Sequence, residues 1–210
     1  GHTHRTTIGY DRSGQVRRTT NARGNISTVL YDGAGRQQAT ISPLLNRVTM
    51  SYDAASQIRR VVNPLGHAAT MLYDDAGRNV AQIDPRAQRT TFAYNSVSRR
   101  IVVRDANNKR TTTVFDGDGR LIAKIDANAH RVSVVFDAAY QIIGLVDPRA
   151  NRLTFTFDAA GQKVRQLDQL LRRTTYSYDN AGRHILRLDA RGNRTTYAYD
   201  DANRLIARSY

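Results

Sequence analysis

The residues that could do chemistry stand in columns. Asp follows an aromatic residue at Tyr10-Asp11, Tyr31-Asp32, Tyr52-Asp53, Tyr73-Asp74, Phe115-Asp116, Phe136-Asp137, Phe157-Asp158, Tyr178-Asp179 and Tyr199-Asp200, and Asn takes its place at Tyr94-Asn95. A second column, Asp84, Asp105, Asp126, Asp147, Asp168 and Asp189, falls between these steps, where earlier units offer Asn21, Ser42 and Asn63. Two carboxylates per unit suggest an acid/base pair of the glycosidase kind. Their recurrence in nearly every unit, each with Arg nearby, fits turn capping and ion-pair ladders between units better.

Other chemistries fare no better. His4, His67 and His130 share one repeat phase, but Asn25, Asn46, Gln88 and Lys109 fill the intervening places, so they read as exposed turn residues and not as a metal site. The acidic turns at Asp74-Asp75 and Asp116-Gly117-Asp118-Gly119 lack the ligand density of a calcium loop, and Arg78 and Arg120 would compete for them. Cys is absent, and no Ser and His pair stands apart from the repeat for nucleophilic catalysis. Arg columns and Tyr faces meet the outline of a nucleic-acid or polyanion surface, yet the rings occupy packing positions and 18 Asp are interleaved with the Arg. No catalytic, cofactor-binding or metal residue is therefore assigned, and nucleic acid is the weaker partner reading.

Composition agrees. The formal charge of +14 comes almost wholly from Arg, since Lys occurs only at Lys109, Lys124 and Lys163, and Arg suits bidentate pairing with carboxylates. Apolar residues at 40% support a real but modest core, and there is no Cys, Trp or Glu. Lack of Cys excludes disulfide stapling without deciding between cytosol and export. No apolar run approaches a membrane span, and Gly1 to Gly9 lacks the apolar core of an export signal. Tyr210 stands where the repeat usually has Asp, so the expectation is a segment of a longer chain, with any export signal elsewhere.

The elements that must position these columns follow from the beat. The aromatic-Asp step recurs ten times at a 21-residue spacing without an insertion, which predicts one repeat array over 1–210 whose units fix one another's geometry. Thr90, Phe92 and Tyr94 alternate with Thr91 and Ala93, a period-two strand pattern. Thr154-Phe155-Thr156-Phe157, Thr175-Tyr176-Ser177-Tyr178 and Thr196-Tyr197-Ala198-Tyr199 repeat it, so rings two residues apart line one sheet face. A turn follows, as in Asp74-Asp75-Ala76-Gly77-Arg78, Asp116 to Gly119 and Arg120, and Asp179-Asn180-Ala181-Gly182-Arg183; Asp caps backbone N–H groups and Gly supplies positive φ. Ser56, Ser98, Tyr140 and Asn203 replace that Gly, which predicts altered or strained turns, Tyr140 most of all. Segments such as Leu121–Ile125 and His184–Leu188 return, and a second turn carries Pro43, Pro64, Pro85 or Pro148 directly after its first residue. Each 21-mer is thus a hairpin, the fold class is all-β, and about twenty strands make a coiled antiparallel hairpin sheet with a contour of roughly 95 Å. A straight rod and a curling wall both satisfy this pattern.

The run from Tyr73-Asp74-Asp75-Ala76-Gly77-Arg78 through Asp84-Pro85 to Thr90-Thr91 and Tyr94, seen again from Tyr178 through Asp189 and Thr195-Thr196 to Tyr199, resembles the Rhs or YD-repeat family. The resemblance covers essentially all 210 residues. It implies hairpins coiled into a continuous sheet, which in polymorphic toxins and in the BC components of insecticidal toxin complexes forms a hollow cocoon around a toxic C-terminal domain. Similar repeats occur in bacterial wall-associated proteins and in teneurins. Nothing here resembles the self-cleaving end of such a shell, and ten repeats are few for a large cocoon.

The resulting expectation is a non-enzymatic structural repeat forming a filament, wall or shell outside the cell or at its surface, with a toxin-enclosing cocoon and a polyanion-binding module as alternatives. Its partners are neighbouring Rhs repeats or copies of itself, and an enclosed toxin domain is implied by the resemblance. Its structural residues are the aromatic column Tyr10 to Tyr199, the Asp and turn-Gly columns, and Arg36, Arg78, Arg99, Arg120, Arg183 and Arg204 for lateral ion pairs.

Overall fold

Where ring and small residue alternate, the chain is extended: Arg173–Tyr178 and Arg194–Tyr199 are strands, each followed by a turn and a shorter returning strand. This is seen in a computed structural model that describes residues 5–210. Twenty strands and no helix occur among the described residues, an all-β antiparallel hairpin repeat.

The strands fall into two units, divided between Lys109 and Arg110. The first holds β1 (Thr7–Tyr10), β2 (Val16–Thr20), β3 (Ile26–Tyr31), β4 (Gln37–Ile41), β5 (Arg47–Tyr52), β6 (Ile58–Val62), β7 (Ala68–Tyr73), β8 (Asn79–Ile83), β9 (Arg89–Tyr94) and β10 (Arg100–Arg104). The second holds β11 (Arg110–Phe115), β12 (Leu121–Ile125), β13 (Arg131–Phe136), β14 (Ile142–Val146), β15 (Arg152–Phe157), β16 (Lys163–Leu167), β17 (Arg173–Tyr178), β18 (His184–Leu188), β19 (Arg194–Tyr199) and β20 (Leu205–Ser209). Within each unit every strand pairs antiparallel with its neighbours in sequence.

One register serves all hairpins. In β7 and β8, Thr70 faces Ile83, Met71 faces Gln82 and Leu72 faces Ala81, but Tyr73 then faces Asn79. The extra residue is a β-bulge, and the same shift occurs in each hairpin, just before the aromatic residue. Between hairpins the pairing is regular, with Ala81 opposite Thr91 and Ile83 opposite Arg89. A bulge bends its strand and increases local twist.

The two faces are packed by different means. On one lie the rings, where Lys163 Nζ sits 5.6 Å from the centre of Phe155 and 4.4 Å from that of Tyr176. On the other, facing residues exchange volume. Leu30 opposes Ala39, Leu72 opposes Ala81, Val114 opposes Ala123 and Val135 opposes Gly144. The order reverses where Gly9 opposes Arg18, Ser51 opposes Arg60 and Thr156 opposes Arg165. Large against small keeps the layer level.

Ala39, Ala81 and Ala123 are fully buried, yet among the described residues no large side chain is. A second layer to cover either face is not part of these units, and the backbone ladder carries much of the order.

Candidate functional site: the hairpin joint

Each aromatic-Asp turn is built the same way. At Asp74, the Asp N–H donates to the carbonyl of Arg78 at 3.0 Å, and the N–H of Gly77 donates back to the Asp74 carbonyl at 2.9 Å. The carboxylate Oδ1 accepts the N–H groups of Ala76 and Arg78 at 3.1 and 2.9 Å. Asp11, Asp32, Asp53, Asp179 and Asp200 cap their turns alike, and Asp116 accepts the Arg120 N–H. Gly77, Gly119 and Gly182 hold φ of 76°, 83° and 78°, the left-handed residue of a three-residue hairpin loop.

Ser56, Ser98, Tyr140 and Asn203 keep this turn instead of altering it. Their φ values of 64°, 59°, 65° and 61° match the glycine geometry, and the turn hydrogen bonds persist. The strain is confined to φ, because the Asp or Asn cap holds the loop from its other end.

Arg at the turn exit behaves differently from the lateral ion pairing expected. Arg36 Nη2 meets Asp32 at 2.8 Å, Arg78 meets Asp74 at 2.7 Å, Arg120 meets Asp116 at 2.6 Å, and Arg183 and Arg204 each meet the Asp of their own turn at 2.7 Å. The turn folds residue four back over its own carboxylate, so the ion pair closes within one hairpin. Arg99 follows Asn95, whose Oδ1 accepts the Arg99 N–H, and its turn has no Asp for such a pair.

The lateral link is made by the rest of the guanidinium. Arg36 lies 4.5 Å over the ring of Tyr52, Arg78 5.1 Å over Tyr94, Arg120 5.0 Å over Phe136 and Arg183 5.4 Å over Tyr199. Each ring belongs to the next hairpin. Nη1 of Arg78 and Arg183 also donates to the carbonyls of Asn95 and Asp200. One cation thus joins its own carboxylate to the neighbour's ring, a cation–π contact of about 0.5–1 kcal/mol where exposed.

The tyrosines lock the joint from the other side. The hydroxyl of Tyr31 donates to the carbonyl of Val16 at 3.0 Å, Tyr52 to Gln37 at 2.7 Å, Tyr73 to Ile58 at 3.0 Å and Tyr94 to Asn79 at 2.7 Å. Tyr178 reaches Lys163 and Tyr199 reaches His184, both at 3.0 Å. The acceptor always begins the returning strand of the preceding hairpin, beside the bulge. Phe136 and Phe157 hold the ring position without a donor, and Phe115 likewise carries a ring without a hydroxyl. Tyr10 departs from the packing role, being 61% exposed. Partial burial raises the Tyr178 hydroxyl above its ordinary value, with nearby Tyr176 and Asp158 adding to it.

At Asp32, Asp74 and Asp116 the carboxylate is held ionised. The Arg36 guanidinium, with its backbone N–H, keeps Asp32 below the ordinary carboxyl range, and Arg78 does so for Asp74. At Asp116 partial burial pushes upward, but the backbone N–H and guanidinium of Arg120 outweigh it.

The second Asp column caps a second turn of the same design. Asp84 Oδ1 accepts the N–H groups of Arg86 and Gln88, and Ala87 is left-handed at φ 62°. These turns lie at the opposite end of the strands, a separation of roughly 17 Å over five extended residues. That is well beyond the spacing of either glycosidase geometry, so the two carboxylates of a hairpin cannot share a substrate. Both carboxylates of a hairpin are instead engaged in capping their own turns.

The other candidates resolve in place. His67 and His130 are exposed turn residues, His130 Nδ1 lying 3.1 Å from Asp126 of its own turn; His4 lies outside the described residues. Arg120 occupies the acidic turn considered for calcium, bonding Asp118 at 3.2 Å as well as Asp116. Among the described residues no group of three or more His, Cys, Asp or Glu converges. Depressions are open troughs between adjacent turns, such as one of about 520 Å³ lined by Asp11, Gln15, Tyr31 and Gly35.

Sequence reasoning missed three contributors. One is the phenol-to-carbonyl bond, signalled only by the preference for Tyr over Phe. Another is His184, whose ring lies 5.6 Å from Tyr176 and Tyr178 and 4.7 Å from Tyr197. The third is Gln at the turn exit, where Gln15 and Gln57 donate to the carbonyls of Gly35 and Gly77 in the next turn, each at 2.8 Å.

Comparison with known proteins agrees with this geometry. The teneurin YD-shell family matches residues 1–151. No curated protein matches the sequence. Among solved structures, the crystal structure of TcdB2-TccC3 without its hypervariable C-terminal region is similar over 97% of this chain, with TM-score 0.61 and 19% identity. That of TcdB2-TccC3-TEV is similar over 98%, with TM-score 0.60 and 19% identity. This chain spans only 12% of either, and at such identity the likeness is one of fold. The family match takes in the YD turns from Tyr10-Asp11 to Phe136-Asp137 together with their Arg and ring partners, and the chain belongs to the teneurin YD-shell family.

Proposed function

We propose that this chain is wall material, a stretch of a YD shell outside the cell or at its surface whose working product is the sheet itself. The observation that carries the reading is the joint: carboxylate, guanidinium, ring and phenol of each YD turn are all engaged in holding a hairpin or the one beside it. Little of that chemistry is left to recognise a small substrate. The beat passes Lys109 and Arg110 without an insertion, which supports treating residues 1–210 as one array.

The partners of such a wall are further YD hairpins of the same shell. Two faces of unlike chemistry, rings on one and Thr, aliphatic residues and Arg on the other, suit a wall with an inside and an outside. An enclosed domain, such as a toxin, is the cargo this reading implies. Cryo-electron microscopy of the native full-length protein tests it. The expected result is a closed hollow particle with these hairpins in its wall. An open fibre with the hairpin repeated along its axis would overturn the shell, and DNA binding that survives physiological salt would favour a polyanion-binding module.

A further inference from the structure

The residue leaving each YD turn comes in two kinds, and so does the left-handed residue of the turn that follows. Gln15 precedes Gly35, Gln57 precedes Gly77, Gln141 precedes Gly161 and Gln162 precedes Gly182. Arg36 precedes Ser56, Arg78 precedes Ser98, Arg120 precedes Tyr140 and Arg183 precedes Asn203. Arg99 precedes Gly119, at the one step that passes from the first unit to the second.

Geometry explains both pairings. A Cβ on Gly77 would lie 3.1 Å from Gln57 Nε2, and one on Gly161 would lie 3.0 Å from Gln141 Nε2, closer than ordinary contact. A Cβ there would therefore push the Gln amide a few tenths of an ångström out of its place, which Gly does not. Arg reaches further out and finds a side chain there. Arg36 Nη1 donates to Ser56 Oγ at 2.9 Å, Arg78 to Ser98 Oγ at 3.4 Å and Arg183 to Asn203 Oδ1 at 3.0 Å, while Arg120 covers the Tyr140 ring at 4.6 Å. All four partners keep a left-handed backbone, and at Ser56, Ser98 and Tyr140 a side chain is held there against its backbone preference.

We infer that, within each unit, the exit residue of a YD turn selects the hairpin that stacks on it. Gln accepts a hairpin whose turn carries Gly, and Arg accepts one whose turn carries a polar or aromatic side chain. The inference concerns hairpin order and holds whether or not the sheet closes into a shell. In the first unit the kinds alternate through Gln15, Arg36, Gln57 and Arg78. A hairpin that skipped its neighbour would set Gln15 against Ser56 and Arg36 against Gly77. Near-identical hairpins are prone to such misassembly, and the alternation opposes it.

A swap in the full chain, read by native-state hydrogen exchange in β5 to β8, tests this. Gly66→Ser is the reference for a left-handed Ser, since Gly66 has φ of 81° and open space around it. Gly77→Ser should speed exchange about tenfold more than Gly66→Ser, and adding Gln57→Arg should bring it back to the reference. Should Gly77→Ser abolish folding, the reciprocal swap decides: Ser56→Gly should slow exchange in an Arg36→Gln background but not in the parent. Effects that multiply independently in the swap, or equal effects of Gly77→Ser and Gly66→Ser, would overturn the inference.

Discussion

A single hydroxyl separates Tyr from Phe in the aromatic column, and at six positions it is bonded to the preceding hairpin. Phe157 occupies the same place, fifteen residues after Ile142, as Tyr178 does after Lys163. Phe157→Tyr should therefore raise the stability of its unit by about 1 kcal/mol, and Tyr178→Phe should lower it by a similar amount, measured by urea unfolding. No gain from the added hydroxyl would mean that the bulge carbonyl is already served. The ring column itself was legible in the sequence, because period-two spacing puts rings on one face. The hydroxyl's partner was not, since it depends on a bulge that no residue type announces.

Turns are the elements whose chemistry depends on pH. Asp32, Asp74, Asp116, Asp179 and Asp200 have folded values lowered from the ordinary 3.8. A lowered folded value gives stability that is complete above the ordinary value and lost as pH falls through the folded one. The melting temperature should stay level from neutral pH to about pH 5 and then drop steadily toward pH 2. Asp74→Asn, which keeps the side-chain Oδ1 acceptor for the turn's N–H groups as Asn95 does, should blunt that drop in circular dichroism melts; an unchanged acid limb would remove the Asp74 carboxylate from the account. The first turn was readable from Asp and Gly together. Its twin was only half readable, because Ala87, Leu45 and Leu171 sit at φ of 62°, 62° and 59° where Gly would have signalled the bend. The cap at the turn's start holds those residues left-handed, overriding their local preference.

At the scale of the whole molecule, hairpin order was written in the 21-residue beat, whereas the reach of each Arg was not: an ion pair and a lateral contact look alike until the stacking neighbour is known. Nearest-neighbour architecture also predicts how damage spreads. A Cβ on Gly144 would lie 3.3 Å from Val135 Cβ, so Gly144→Leu should loosen β13 to β16 while hydrogen exchange in β3 to β8 stays unchanged. Simultaneous loosening of both regions would show that the chain responds as one block. The absence of any fully buried large side chain among the described residues has a thermal counterpart. Unfolding a single-layer sheet wets less apolar surface per residue than unfolding a two-layer domain, so its heat-capacity increment falls below the usual roughly 12–15 cal/mol/K per residue. The stability curve of such a sheet is correspondingly less curved, so cold erodes its folding free energy less than it does that of a two-layer domain.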